Sequence, residues 1–220
     1  MHKTTLLIAF APAILAFGSC QDDDRYVGSD RLATETRPVL DFNEIRVGDA
    51  IAVEVSAAPR FLVTVRGNDN LMDRIVTDVQ GDRLRIHMLP GNYRELDVTV
   101  AIEMPELNAL DLSGASEGRL TGLPSGADEF VLELSGASTA TAENASATDL
   151  ILGLSGASVA SLYDLEVSVA EVNLSGASEA SVRIADRITG SLSGASTLHY
   201  RGEPDISVTT SGASELHNDN

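Results

Sequence analysis

The chain has 220 residues, 43% hydrophobic and 22% charged, with only 4% aromatic and no tryptophan. Such a composition excludes collagen-like and fully disordered chains and calls for a core of Leu, Val, Ile and Ala rather than of rings. Fifteen basic against 33 acidic residues give a formal charge of -18, a field that repels phosphate backbones and argues against nucleic acid as a partner.

The chain starts with the basic His2 and Lys3, continues through an apolar stretch over residues 6–17, and reaches Gly18-Ser19-Cys20. This is the layout of a secretory signal over residues 1–19, too short to span a bilayer comfortably. Cys20 is the single cysteine, so the chain has no intrachain disulfide and no multi-cysteine metal cluster. A small pair directly before that cysteine resembles a bacterial lipobox, with Phe17 where Leu is usual. What this resemblance implies is lipidation of Cys20, a membrane anchor made of acyl chains, and a place in the bacterial cell envelope, at the outer membrane. Loss of the leader removes Lys3, the only lysine, and leaves 14 Arg against 33 acids, a charge of -19. Gln21-Asp22-Asp23-Asp24 and the polar residues after it contain too little apolar surface to offset ordering, so residues 20–37 read as a flexible acidic tether.

Residues 38–105 read as an N-terminal β region and cap. Residues 44–55, 61–66, 83–88 and 96–102 alternate apolar and polar side chains, the period of a strand with one buried face. Turn-rich pieces such as Gly67-Asn68-Asp69-Asn70, Gly81-Asp82 and Pro90-Gly91-Asn92 separate them. The region is expected to form irregular first coils or a small antiparallel sheet covering the upstream end of the repeats.

Residues 106–220 repeat. The tetrapeptide Ser-Gly-Ala-Ser starts at Ser113, Ser135, Ser155, Ser175, Ser193 and Ser211, at spacings of 22, 20, 20, 18 and 18 residues. A period near 20 marks a solenoid. One residue before each tetrapeptide stand Leu112, Leu134, Leu154, Leu174, Leu192 and Thr210, and three before it Leu110, Leu132, Leu152, Val172, Gly190 and Val208. Polar residues lie between, so these are strands rather than helices. Identical positions recurring once per period stack most economically in parallel and in register, about 4.8 Å apart, as a parallel β-helix with an aliphatic interior. The tetrapeptide has a corner's composition, because Gly accepts positive φ and Ser can bond local backbone. The expected corner residues are Ser113, Gly114 and Ser116; Ser135, Gly136 and Ser138; Ser155, Gly156 and Ser158; Ser175, Gly176 and Ser178; Ser193, Gly194 and Ser196; and Ser211, Gly212 and Ser214. If parity survives the corner, each second Ser faces inward in a hydrogen-bonded column and Ala faces out. The last coil has no evident cover, which leaves a sticky edge suited to homo-oligomerisation or capping by a partner.

Asp41-Phe42-Asn43-Glu44-Ile45, Gly67-Asn68-Asp69-Asn70, Gly81-Asp82-Arg83-Leu84-Arg85-Ile86 and Met104-Pro105-Glu106-Leu107, entering the first Leu-Ser-Gly-Ala-Ser, together resemble the auto-transporter adhesin head domain, or GIN domain, family. The likeness covers about residues 38 to 218. It implies an all-β fold, a right-handed parallel β-helix of about six LSGAS coils behind an irregular β N-terminal part, on a secreted or lipid-anchored bacterial protein. It implies no catalytic residues.

Three constellations invite chemistry. Six equivalent serines without accompanying histidines do not make a nucleophile. Asp111 and Glu133 occupy the same position in consecutive coils, side by side as in a glycosidase pair, but the few rings leave a solvated face as the better reading. His199 and His217 share an outward position in the last two coils and are the candidates for a transition-metal site, although an exposed polar stripe explains them as well. No cofactor is expected, and the nonapeptide calcium pattern is absent. The sequence thus points to a non-catalytic envelope lipoprotein, an adhesin or surface-binding module presenting a β-helix face to glycans or other cell-surface ligands. The alternatives are a scaffold that associates through its uncapped coil and, behind it, a polysaccharide-active enzyme.

Overall fold

The computed structural model describes residues 25–123 and 128–220. The leader, Cys20 and the start of the expected tether lie outside the described residues. The N-terminal part contains β1 (Arg25–Val27), β2 (Leu32–Arg37), β3 (Glu44–Val47), β4 (Ala52–Ala57) and β5 (Leu62–Asn68). A 3-10 segment over Asp69–Arg74 then leads to β6 (Ile75–Gln80), β7 (Arg83–Met88), β8 (Asn92–Arg94) and β9 (Val98–Met104). The repeats supply β10 (Ala109–Leu112), β11 (Glu117–Thr121), β12 (Glu129–Leu134), β13 (Thr139–Glu143) and β14 (Ala145–Leu154). They continue with β15 (Val159–Leu174), β16 (Glu179–Leu192), β17 (Thr197–Arg201), β18 (Asp205–Thr210) and β19 (Glu215–Asn218).

These strands wind into a parallel β-helix. One wall stacks β10, β12 and the last halves of β14, β15 and β16 before ending on β18, with Leu112 opposite Leu134, Leu134 opposite Leu154, Leu154 opposite Leu174 and Leu174 opposite Leu192. A second wall stacks β11, β13 and the first halves of β15 and β16, then β17 and β19. The Leu ladder fills the interior: Leu112, Leu134, Leu154, Leu174 and Leu192 are all at most 2% exposed. Each such side chain contributes roughly 1.5–3 kcal/mol by leaving water. Facing it, the second wall is thin, with Gly118, Ala140, Ala160 and Ala180 at its first inward position. One coil reverses the arrangement. Gly190 replaces the large residue on the first wall and Leu198 the small one on the second, so the volume enclosed per coil is kept while its source changes sides.

Within the repeats, every turn from the first wall to the second is a Ser-Gly-Ala-Ser. The glycines sit at φ +75 to +78, and successive corners are bonded through their backbones, Ala157 N–H to the Gly136 carbonyl at 2.7 Å and Ala177 N–H to the Gly156 carbonyl at 2.7 Å. The second serines of the first five corners are buried and the alanines exposed. Their hydroxyls do not bond to one another up the column, however. Each donates to the first serine's carbonyl in its own corner, as Ser158 Oγ does to Ser155 at 2.7 Å, because that acceptor lies three residues back at the mouth of the turn. Ser196 is the exception, its buried hydroxyl without a partner. Ser158→Ala is therefore expected to lower unfolding free energy by about 1 kcal/mol, whereas Ser196→Ala, which removes an unsatisfied group, should be neutral or slightly stabilising. Urea titrations of the two variants distinguish them.

The N-terminal region combines both expected arrangements. Residues 44–55, read as one strand, break at Gly48-Asp49-Ala50-Ile51, and β3 and β4 run parallel to β10 and β11 as a preceding rung. This turn is a corner without the tetrapeptide. Asp49 and Ala50 adopt φ +61 and +60, Asp49 Oδ2 accepts the Met88 N–H at 2.8 Å, and Ile51 fills the place that Ser116 takes next door. Below it β7 and β9 pair in parallel with β3 and β4, and antiparallel β6, β5 and β2 close the end.

The tether reading needs correction from residue 25 onward. β1 pairs with β8 and β2 with β5. The segment gains order from polar contacts that hydrophobicity does not reveal. Ser29 Oγ donates to Asp69 Oδ1 at 2.5 Å, Arg31 binds Asp69 Oδ2 through two nitrogens, and Arg74 lies 3.7 Å over the Tyr26 ring, which stacks on Tyr93.

Candidate binding surface

Register dictates what the outside of the helix presents. Side chains at one outward position form columns that run along the solenoid axis, one residue per coil. On the first wall a column passes through Arg46, Asp111, Glu133, Gly153, Asn173 and Ser191. On the second, Arg119, Thr141, Ser161, Ser181, His199 and His217 align.

Asp111 and Glu133 are direct neighbours, yet they are not a free acid pair. Arg46 Nε donates to Asp111 Oδ2 at 2.7 Å from the preceding rung. The Glu133 carboxylate lies across Gly153, where any side chain would collide with it. Burial against that backbone, then the negative charge of Asp111, hold the Glu133 carboxyl above the ordinary carboxylate range. A carboxyl whose folded pKa is raised binds its proton more tightly in the folded state, so it weakens stability as pH rises above about 4 and has no effect below. Glu133→Gln is expected to raise stability at neutral pH and to match wild type at pH 3, as read by thermal melts at both.

His199 and His217 come together as the register requires, but as a stack, with ring centroids 5.2 Å apart and planes 22° from parallel. Their nitrogens turn to different carboxylates, His199 Nδ1 to Asp219 at 3.2 Å and His217 Nε2 to Glu215 at 2.8 Å. No group of three or more His, Cys, Asp or Glu placed to hold a metal occurs among the described residues. What the stack does instead is part of a clasp. Tyr163 donates its hydroxyl to Asp219 Oδ2 at 2.6 Å across the intervening coils, with the Arg201 guanidinium 4.0 Å over its ring. Hydrogen bonds from Tyr163 and then His199 hold Asp219 below the usual carboxylate range, while burial and the bond to Asp219 push Tyr163 up. The clasp is not legible in the sequence, since nothing in the spacing of Tyr163 and Asp219 pairs them.

The serines of the six corners stand at equivalent turns, their hydroxyls directed to backbone carbonyls wherever they have a partner. A stack of turns joining two sheet walls, with polar columns outside and an aliphatic ladder inside, defines the class as a parallel β-solenoid. The sequence profile of the family described as "Putative auto-transporter adhesin, head GIN domain" matches residues 41–204, and the chain belongs to that family. Solved structures share the fold. A "putative adhesin" from Bacteroides fragilis is 17% identical with a TM-score of 0.65, covering 88% of this chain and 99% of its own. One from Parabacteroides distasonis is 16% identical with a TM-score of 0.61, covering 88% and 100%. A "putative lipid binding protein" from the same species is 18% identical with a TM-score of 0.54, covering 90% and 100%. Comparison with curated proteins matches none. The family's description is that of an adhesin and not of an enzyme, which makes this an exported or surface protein. No helix among the described residues is long and apolar enough to cross a membrane.

Proposed function

We propose that the chain is a non-catalytic adhesin of the bacterial cell envelope, held at the outer membrane through a lipidated Cys20 and offering the outside of its β-helix to glycans or other cell-surface ligands. The observation that carries this reading is the in-register columns on one continuous sheet. A ligand with its own repeat meets an outward, mostly polar position about every 4.8 Å, and many weak contacts then add without any single strong one. The acidity keeps nucleic acid and anionic lipid headgroups away from these faces.

The test has two arms. Purified protein is applied to immobilised neutral and acidic polysaccharides and to intact cells, and saturable retention is the expected result. A surface that retains no more of it than of serum albumin overturns the reading. In cells, Cys20→Ser is expected to move the protein from the membrane to the soluble fraction, and an unchanged distribution removes the lipid anchor from the proposal.

A second reading has its own observation. β18 and β19 each pair on one side only, and Ile206 on β18 is 44% exposed. A scaffold joining through this edge would be a dimer or larger in solution, and Ile206→Asp would make it monomeric. A monomeric wild type counts against it.

A further inference from the structure

The coil changes length midway, and that change leaves a groove. Ser155 to Ser175 spans 20 residues and Ser175 to Ser193 only 18. The difference is absorbed at two neighbouring register shifts, the larger between Leu162 and Glu166 and a smaller, opposite one between Val167 and Val169. Leu162 pairs with Val182 and the next pair is Glu166 with Arg183, so Tyr163, Asp164 and Leu165 on β15 have no partners on β16. The larger coil overhangs the smaller one there, and two adjoining hollows of about 380 and 320 Å³ open along the step, sharing Glu166 and Arg183.

The groove runs along the solenoid axis. Its lining comes from four successive coils: Asn144 and Ser146, then Asp164 and Glu166, then Arg183, and last Gly202. Ser146, Glu166 and Arg183 are neighbours in register, and three coil spacings give a length of about 14 Å. Gly202 keeps the far end open, for it has φ +106 and a side chain there would strike the Ile184 carbonyl. Ala185 is the exposed apolar residue of the lining, while Val167 and Ile184 beneath it are buried in the solenoid interior.

The chemistry of this lining selects a ligand class. Asn144, Ser146 and Asp164 have no side-chain hydrogen-bond partner among the described residues, so donors and acceptors of both kinds stand open to the groove. Arg183 meets Glu166 only at 3.4 Å, both being more than half exposed, a contact of little worth that a ligand can replace. An anionic ligand would meet two carboxylates for one guanidinium in a chain of charge -18. A metal ion lacks its cluster, and a purely apolar ligand would strand the polar groups. A neutral polyhydroxylated chain satisfies all of them, its hydroxyls bonding to carboxylate, amide and guanidinium edges and a C–H face resting on Ala185. We infer that the step between the 20- and 18-residue coils is a binding groove for a short run of a neutral linear glycan lying along the solenoid axis. This rests on the adhesin reading and gives it a place and a ligand class.

The probes are neutral glucan, mannan, galactan and xylan oligosaccharides of two to six sugars, with oligogalacturonate as the acidic control, titrated calorimetrically into the full mature chain. Binding of at least one neutral series is expected, strengthening with length and then levelling off once the groove is filled. Glu166→Ala and Arg183→Ala should each weaken it about tenfold or more, while Glu117→Ala, outside the groove on the second wall, leaves it unchanged. Circular dichroism melts confirm that the variants fold. Neutral-glycan binding indifferent to Glu166 and Arg183 overturns the groove and leaves the adhesin reading standing. Preference for oligogalacturonate overturns the ligand class. Retention on cells or polysaccharides without any oligosaccharide binding also sinks the groove alone, and absence of both kinds of binding sinks it together with the adhesin reading.

Discussion

Replacing Gly156 by alanine is expected to destabilise the protein by roughly 3 kcal/mol or more. Two costs combine. The residue holds φ +78, a region where a Cβ costs about 1–2 kcal/mol. The same Cβ would also be driven into the Gly136 carbonyl oxygen of the preceding corner, and that oxygen cannot move away because it accepts the Ala157 N–H at 2.7 Å. The neighbouring coils would have to separate where they are bonded. Two other glycines isolate the terms. Gly81, at φ +64, has open space where its Cβ would be, and Gly114, at φ +78, has only an ordinary contact with Asp49 because the preceding corner is set differently. Gly81→Ala and Gly114→Ala should therefore cost only the backbone term, about 1–2 kcal/mol. Equal losses for all three variants in urea unfolding would mean that the corners do not stack glycine on glycine.

This contrast also explains which parts of the fold the sequence makes legible. The corners from Ser113 onward are legible because the turn asks for positive φ six times and stacking excludes a Cβ at five of those places, with small neighbours beside it. The Leu ladder is legible because period-two alternation survives any detail of the turns. The corner at Gly48-Asp49-Ala50-Ile51 is not, since it sits at the end of the regular stack, where Asp49 and Ala50 tolerate positive φ and the Asp49 side chain finds a backbone donor in Met88. β2 escapes a sequence reading for a different reason. Its ordering comes from edge pairing with β5 and from Asp69, Ser29 and Arg31 meeting across 40 residues of chain or nearly so, and no local pattern announces such contacts.

The candidate surface is half legible in the same sense. Register alone puts Asp111 beside Glu133 and His199 beside His217. What it does not supply is the third partner that decides each pair's chemistry: Arg46 from a rung with no recognisable repeat, Gly153 offering its bare backbone, and Asp219 and Glu215 drawing the imidazoles apart. The groove shows the limit most clearly. The drop from 20 to 18 residues is visible in the spacings, but which residues are left unpaired depends on where the two coils fall back into register, and Glu166 opposite Arg183 followed by Val169 opposite Arg187 answers that.

Leu152→Ala is the second change expected to be severe, at about 2–5 kcal/mol. Leu152 is fully buried, with Leu132 opposite on one side and Val172 on the other. The second wall cannot close the cavity, because the inward positions of that coil are already short, Ala160 among them, and the bonded corners keep the walls from collapsing inward. The equivalent truncation in the last coil, Val208→Ala, should cost well under half as much. Val208 is only partly buried and has a neighbour, Gly190, on one side. In a solenoid each coil contacts only its neighbours, so a defect acts locally and its cost falls toward the ends. Hydrogen exchange resolves this directly. Leu152→Ala should raise exchange in β12, β14 and β15 while leaving β3 and β4 close to wild type. Val208→Ala should loosen only β18 and the strand beside it. Uniform loss of protection along the chain in either variant would show that the aliphatic stack behaves as one block, and the graded costs argued from its coils would fail together.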